Sequence, residues 1–106
     1  MVTDTKYTTF GEHLRELREK SGLTLREVSE NIIIDTSLLA KIERNKRQPT
    51  KQIIKQIALF FKVDEKDLMK EFLSDQIAYK IIEEEADLDI LTMAEDKIRY
   101  LKTRNI

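Results

Sequence analysis

The 106-residue sequence predicts an all-α protein made of five short helices and a C-terminal helical hairpin. Three observations favour this fold class. Apolar residues recur at intervals of three and four along most of the chain. A Thr that can cap a helix is followed three positions later by Glu at two places. Only two Gly and one Pro interrupt these patterns, and the length suits one ordinary domain or one small domain with an appendage.

The first two helices are each predicted by a capping box, in which a Thr and a Glu satisfy each other's free N–H groups. Thr9 with Glu12 begins helix 1, which is expected to end at Gly22, since Gly adopts the left-handed cap without steric cost. Thr24 with Glu27 begins helix 2. The apolar positions expected to face the core are Phe10, Leu14, Leu17, Leu25, Val28 and Ile32.

A turn and a short third helix are predicted next. The isoleucines at positions 32–34 are too few to form a strand between two helical patterns, so they are assigned to a turn. Asp35 is a good N-cap for helix 3, which is expected to run to about Glu43. Leu39 and Ile42 lie three apart and can face the core. The other side of this helix carries Thr36, Ser37, Ala40 and Lys41.

Helices 4 and 5 complete a small globule. Pro49 prevents helix 3 from continuing, and Thr50 is predicted to cap helix 4. Asp64 and Asp67 open helix 5. The residues predicted to point inward from these two helices are Ile54, Ile57, Ala58, Phe61, Leu68 and Phe72.

The remaining residues are predicted to form two amphipathic helices. Ser74 is a candidate cap for a fresh start, and the acidic run at 83–85 separates the two stripes before Asp87 or Asp89 caps the last helix. A hairpin of this kind has more apolar surface than it can hide alone, so a partner surface is implied. The stripes contain Leu73, Ile77 and Ile81, then Leu91, Ala94, Ile98 and Leu101.

The pattern divides the chain into a polar, flexible arm at 1–8, a five-helix domain at 9–72 and the hairpin at 73–106. The formal net charge of −1 hides an uneven distribution. Residues 1–70 contain 14 Lys and Arg against 11 Asp and Glu, whereas residues 71–106 contain 5 against 9. An acidic tail therefore masks a basic front.

Composition also excludes several classes of protein. The chain has no Cys, which excludes disulfides and thiolate metal sites, and its single His13 has no second His to complete a metal site. No catalytic triad, Gly-rich phosphate loop or paired catalytic acid is found, so we expect neither an enzyme nor a cofactor. The N-terminal residues lack a signal-peptide pattern and no apolar run reaches membrane-spanning length. A cytoplasmic protein without membrane contact is expected.

Residues 10–68 resemble the Xre/Cro-repressor class of helix-turn-helix regulators. The matching segments are FGEHLRELREKSGL, TLREVSENI, DTSLLAKIERNKRQPT and IIKQIALFFKVDEKDL, and the most specific is the run at 37–45 with the following Pro49-Thr50. The resemblance implies a lambda-repressor-like five-helix domain and a bacterial or phage transcription regulator such as a repressor. Small relatives include controllers of restriction–modification gene pairs.

The same resemblance assigns roles to individual side chains. Helix 3 would enter a DNA major groove, with Lys41 donating to guanine and Ala40 near a thymine methyl group. Arg18 and Glu43 match an ion pair that ties helix 1 to helix 3, so Arg18 is not counted among the phosphate ligands. The base-contacting residues would be Thr36, Ser37, Ala40 and Lys41, and the phosphate-contacting residues Thr24, Arg26, Arg44, Lys46, Arg47 and Lys51.

One departure from the family concerns the turn before helix 3. The family usually has Gly, Asn or Asp where this chain has Ile33, and a β-branched residue disfavours positive φ. The turn is therefore either strained or follows another backbone path.

The expected partners are a near-palindromic double-stranded DNA operator and a second copy of the chain. Two recognition helices about one DNA turn apart are needed because one helix reads few base pairs. An alternative is an antitoxin or adaptor whose hairpin binds a different protein, and a further one is an interaction module without DNA binding. The residues predicted to build the homodimer are Ile77, Ile81, Leu91, Ile98 and Leu101.

Overall fold

Six α-helices and no strand make up the part of the chain that the computed structural model describes, residues 8–104. The predicted arm at 1–8 lies outside this range except for Thr8. The all-α fold class agrees with the sequence-based expectation. The helices are α1 (Phe10–Lys20), α2 (Leu25–Ile32), α3 (Thr36–Glu43), α4 (Lys51–Phe61), α5 (Glu65–Glu83) and α6 (Asp89–Arg104).

The helix starts follow the predicted caps. The hydroxyl of Thr9 accepts from the backbone N–H of Glu12 at 3.2 Å, and the Glu12 carboxylate accepts from the Thr9 N–H at 3.0 Å. Thr24 and Glu27 form the same box at 3.0 and 2.8 Å. Thr50 caps α4 by accepting from the Ile53 N–H at 3.1 Å. Three helix starts are therefore fixed by residues that are adjacent in sequence.

Two of the early helices end in left-handed residues. Gly22, with φ of 69°, follows α1 as expected. Ile33 ends α2 with φ of 57° and ψ of 55°. Of the two alternatives left open for this turn, the structure therefore shows the strained one, in which a β-branched residue occupies the left-handed region.

A single apolar core joins α1 to α5. Leu14, Val28 and Ile54 are at most 1% exposed. Burying a side chain of this size contributes about 1.5–3 kcal/mol relative to leaving it in water. Leu17, Leu25, Phe61 and Phe72 were predicted to face the core but are only partly buried, and the last three pack at the core's margin. The remaining core members are Phe10, Ile32, Leu39, Ile42, Ile53, Ile57, Ala58 and Leu68.

Helix α5 runs from Glu65 to Glu83 without a break, so the predicted fresh start at Ser74 is wrong. The Ser74 hydroxyl donates to the Glu71 carbonyl of its own helix instead of capping a new one. Packing against α1 also continues past Phe72, because the Phe10 N–H donates to the Asp75 carboxylate at 2.7 Å. The first compact unit accordingly ends at Asp75.

The second compact unit begins at Gln76 and contains the end of α5, a short link and α6. Glu85 in the link is left-handed, with φ of 51°. Asp87 accepts from the Asp89 N–H at 3.1 Å, which makes it the capping residue of the two candidates. No residue of α6 is buried.

Candidate nucleic-acid interface

Helix α3 has a buried apolar side and an exposed polar one. Leu39 and Ile42 are 0% and 1% exposed and hold the helix on the core. Lys41 is exposed, and Ala40 is half-buried. Thr36 and Ser37 are also exposed, so the four residues predicted to contact bases share the side that the core leaves open.

The two hydroxyls on the exposed side already donate within the protein, which the sequence did not predict. Ser29 is buried and its Oγ donates to the Arg26 carbonyl at 3.0 Å. Its only proton is thereby used, so Thr36 is the donor in the 2.7 Å contact between the Thr36 and Ser29 hydroxyls. Ser37 donates to the Asp35 carboxylate at 2.9 Å, and Asp35 makes no side-chain cap to α3. Thr36 and Ser37 therefore present lone pairs to the outside.

The end of α3 is tied to α1 by the ion pair of Arg18 and Glu43. Arg18 Nε lies 2.7 Å from Glu43 Oε2, and Nη2 lies 3.0 Å from Oε1. Arg18 also donates to the Leu23 carbonyl at 3.0 Å. The two side chains are only 13% and 5% exposed. The hydrogen bond to Glu43 raises the pKa of the Arg18 guanidinium, which stays charged and is occupied by protein partners.

A second connection between α1 and the end of α3 centres on Asn45. This residue is left-handed, with φ of 60°, and its amide oxygen accepts from the Gly11 N–H at 3.2 Å. Its amide nitrogen donates to the Thr9 hydroxyl at 2.8 Å. A Cβ on Gly11 would lie 2.7 Å from the Glu43 carbonyl oxygen and would also collide with the Ile42 carbonyl oxygen. Gly11 therefore permits the close approach of α1 to α3.

Sequence reasoning missed Ser29, Gly11 and Asn45 as supports of α3. Only Asn45 could have been noticed from the sequence. Asn tolerates the left-handed region better than most residues, and Asn45 lies just after the predicted end of helix 3. The contacts themselves join residues up to 36 positions apart, as in the bond from Asn45 to Thr9. Only the folded arrangement shows them.

The residues predicted to contact phosphate are exposed. Lys46 and Arg47 lie in the loop between α3 and α4, Lys51 is the first residue of α4, and Thr24 directly precedes α2. Arg26 pairs with Glu30 at 3.2 Å on an open surface, where such a pair is weak and can be exchanged for another anion. Arg44 donates to the Ala40 carbonyl through Nε at 3.4 Å.

A shallow cleft brings the start of α2 to the end of α3. It is lined by Leu25 of α2, by Ala40 of α3 and by Arg44, which directly follows α3. Arg15 of α1 borders the same cleft, a cation that the sequence analysis did not single out. Since Glu43 is bound to Arg18, the stretch 41–55 presents Lys and Arg without an outward-facing acid. The surface is suited to bind a polyanion.

The residues predicted to build a homodimer lie in the second compact unit. Ile77, Leu91, Ile98 and Leu101 are 53%, 44%, 53% and 51% exposed, and Ile81 is half-buried. All but Leu101 line a single groove between the end of α5 and α6.

His13 contacts a carboxylate within the first compact unit. Its Nδ1 lies 2.7 Å from Glu71 Oε2, which links α1 to α5. Within residues 8–104, no group of three or more His, Asp or Glu side chains is placed to hold a metal ion.

Comparison with known proteins settles the family. Residues 11–71 match the helix-turn-helix domain family. The chain belongs to that family. Its members are DNA-binding transcriptional regulators rather than enzymes, which agrees with the expectation from the sequence. None of the helices described above is both long and apolar enough to cross a bilayer.

Individual relatives of this helix-turn-helix domain agree with that assignment. The chain is 32% identical over 79 residues to the HTH-type transcriptional regulator DdrOP3 of Deinococcus deserti, covering 73% of this chain and 61% of that regulator. The crystal structure of the restriction-modification controller protein C.AhdI from Aeromonas hydrophila is 29% identical and has a TM-score of 0.53, covering 56% of this chain and 89% of that one.

The master regulator for biofilm formation SinR, solved in complex with DNA, is 26% identical with a TM-score of 0.54. That likeness covers 57% of this chain and 98% of the SinR chain. The fold is thus of the lambda-repressor-like type, and each of these two solved structures covers a little more than half of this chain.

Proposed function

We propose that this protein is a sequence-specific transcriptional regulator that binds a near-palindromic double-stranded DNA operator as a homodimer, with α3 in the major groove. The observation that carries the proposal is the seating of α3. Its back is buried in the core, and its end is bound to α1 through Arg18–Glu43 and through Asn45. Because α3 is already held in place, it loses little conformational entropy when it enters the DNA major groove, which is about 12 Å wide.

The polar groups on α3 define a chemical preference. Lys41 is a donor with a flexible stem and suits the O6 and N7 acceptors of guanine. Thr36 and Ser37 already donate inward, so their free lone pairs suit the amino groups of adenine N6 or cytosine N4. Half-buried Ala40 suits a thymine methyl group.

The surrounding cations supply affinity rather than selectivity. We assign phosphate contacts to Arg44, Lys46, Arg47 and Lys51 around the end of α3, and to Thr24 and Arg26 at the start of α2. Contacts of this kind set register on the duplex and make binding depend steeply on salt. The likeness to a restriction-modification controller supports a role in which the protein occupies a site over its own promoter and excludes polymerase.

Selection of bound DNA from a random duplex pool tests the proposal. The expected product is a near-palindromic site whose half-site centres lie about 10 base pairs, or roughly 34 Å, apart. A selected site without two-fold symmetry would contradict the homodimeric mode, and a pool that does not enrich would contradict sequence-specific binding altogether.

A second candidate function is an antitoxin or adaptor whose C-terminal helices bind a different protein. The exposed apolar groove of the second compact unit favours it as much as a homodimer. Limited proteolysis of the purified chain separates the two. Protection of residues 76–104 in the chain alone supports the homodimer, whereas cleavage that stops only when another protein is added supports the adaptor.

A further inference from the structure

The second compact unit presents an open apolar groove. Its volume is about 800 Å³, and it lies between the end of α5 and α6. No residue of α6 is buried, so the apolar side of this helix has no cover within the described chain. An uncovered apolar surface of this kind marks a site of association. The apolar residues lining it are Ile77, Ile81, Ile90, Leu91, Ala94 and Ile98.

The two ends of this unit carry opposite charge. Residues 83–87, here called the acidic tip, contain four acidic residues and no basic one. Residues 97–104, here called the basic end, contain four basic residues and no acidic one. Few stretches of this length in the chain are so one-sided, and the two occur in the same short hairpin.

The basic end lines the groove, and the acidic tip adjoins it through Lys80. Arg99 and Lys102 of the basic end line it directly. Lys80 lines it on the side of α5 and is 3.3 Å from the Glu84 carboxylate of the acidic tip. A partner that covers the apolar groove and extends past Lys80 therefore meets the acidic tip at one end and the basic end at the other.

The tip and the end of one copy are too far apart to neutralise each other. At 1.5 Å per residue, Lys97 and Lys102 lie about 12 and 20 Å along the axis from Asp89, where α6 begins. The Debye length at physiological salt is only about 8 Å. In the described part of the chain, Lys97 and Lys102 form no ion pair, and Arg99 pairs only with Glu95 of its own helix.

We propose that a second copy of this chain occupies the groove in the antiparallel direction, so that the acidic tip of each copy lies against the basic end of the other. This rests on the homodimer of the proposed function and adds its register. A two-fold interface must be self-complementary, because the same surface appears on both sides. A surface that is acidic at one end and basic at the other meets this requirement only when the two copies run in opposite directions.

The reverse arrangement is excluded by the same charges. Copies in the parallel direction would place acidic tip against acidic tip and basic end against basic end, and like charges held together at an interface are strongly unfavourable. The charge pattern therefore selects the partner and its direction, while the apolar residues supply the affinity.

Charge reversal tests the register on the full chain. The tip variant is Glu83→Lys, Glu84→Lys and Glu85→Lys, and the end variant is Lys97→Glu, Arg99→Glu and Lys102→Glu. Each variant alone places like charges together at both contacts of its homodimer. In a mixture, both contacts of the heterodimer join opposite charges again. Because each variant has one sign at both of its ends, this pairing shows that both clusters lie at the interface but not in which direction the copies run. The direction is tested by the double variant, which carries all six substitutions. In the antiparallel direction it pairs with itself and repels the wild type, whereas in the parallel direction it would prefer the wild type as its partner.

Sedimentation equilibrium and native mass spectrometry give the readout. We expect each variant alone to show a homodimer dissociation constant at least about tenfold above that of the wild type. An equimolar mixture should form heterodimers with nearly wild-type affinity, and added salt should reduce that preference. Restored pairing also shows that both variants fold.

A matched control separates register from net charge. The variant Glu16→Lys, Glu19→Lys and Glu30→Lys reverses three exposed acids of α1 and α2, and has the same net charge as the tip variant. It should form homodimers like the wild type. If it paired with the end variant as selectively as the tip variant does, overall charge rather than the proposed register would account for the result, and the register would be wrong.

The remaining outcomes distinguish this inference from the proposed function. A wild-type chain that stays monomeric contradicts the homodimer itself, and one found only with a different protein favours the adaptor. A wild-type dimer that tolerates both charge-reversed variants, or a double variant that pairs with the wild type in preference to itself, contradicts the antiparallel register alone.

Discussion

Ile33 is the residue at which the backbone departs most from what its side chain favours. It is 81% exposed and left-handed, so its side chain adds little burial to offset the cost of the conformation. We expect Ile33→Gly to raise the free energy of unfolding by about 0.5–1 kcal/mol. The substitution relieves the backbone strain, but part of this gain is lost because Gly has more conformational entropy in the unfolded chain. Chemical denaturation measures the change.

Lys62 provides the matched control for that prediction. It is also left-handed, with φ of 58°, but is not β-branched. Lys62→Gly should therefore stabilise less than Ile33→Gly. Equal gains would show that β-branching at the turn carries no extra strain, and a loss of stability on Ile33→Gly would show that the exposed side chain makes a contact that matters.

Gly11 has the opposite character, because its lack of a side chain is required. Two of the three atoms that a Cβ would approach are backbone carbonyl oxygens, which cannot rotate away. We expect Gly11→Ala to lower the free energy of unfolding by about 1–3 kcal/mol, although Ala is the better helix former by about 1 kcal/mol. Thermal or chemical denaturation measures it.

Gly22→Ala is the comparison for Gly11→Ala. Gly22 has φ of 69° and open space around it, so Ala there should cost only the left-handed strain, about 1 kcal/mol. A neutral or stabilising Gly11→Ala would mean that α1 and α3 are not held as closely as the structure shows.

At the scale of the helices, the ion pair of Arg18 and Glu43 is expected to dominate the seating of α3. Glu43→Gln would leave a guanidinium that is only 13% exposed without its countercharge, at a cost of about 3 kcal/mol. The exposed pair of Arg15 and Glu19 is the control, and Glu19→Gln should change stability by less than about 0.5 kcal/mol. Denaturation of both variants under one set of conditions makes the comparison.

The pH dependence of this pair has a definite sign. The folded-state pKa of Arg18 is raised, so its contribution to stability is fully present below the ordinary pKa of arginine and is lost only as pH rises through the raised value. On the alkaline side, the stability difference between wild type and Glu43→Gln should therefore stay constant until strongly basic pH. A difference that disappears near neutrality would contradict the assignment.

The helices differ in how far the sequence could predict them. The starts of α1, α2 and α4 depend on a Thr and on the residue three positions after it, so the local sequence was sufficient to predict them. The continuous α5 was not predicted, because a Ser in a helix and a Ser at a helix start look alike. What decides the matter is the packing of Phe72 and Asp75 on Phe10, 62 or more positions away in sequence.

In the candidate site, too, features within one helix could be predicted and contacts between helices could not. The exposed and buried sides of α3 follow from its period, so Lys41 and Leu39 were placed correctly relative to the core. The inward donation of the Thr36 hydroxyl depends on Ser29, and the position of the helix end depends on Gly11 and Asn45. Those contacts join separate helices, and periodicity within one helix carries no information about them.

For the full chain, we propose that the second compact unit is responsible for self-association. A chain ending at Asp75 retains the hydrogen bond to Phe10 and the complete core of the first unit. We expect it to remain folded but to be monomeric in sedimentation at concentrations where the full chain is a dimer. It should also bind the operator more weakly, because two half-sites are no longer linked. A truncated dimer as tight as the full chain would place the interface in the first unit.

We propose that α3 reads bases while the neighbouring cations bind only the DNA backbone, and one pair of variants separates these two roles. Affinity for the selected operator and for random duplex is measured across a range of salt concentrations for Lys41→Ala and Lys46→Ala. We expect Lys41→Ala to reduce the preference for the operator by roughly tenfold or more. Lys46→Ala should weaken both DNAs about equally and lower the salt slope by about one. Equal effects of the two variants on preference would contradict the claim.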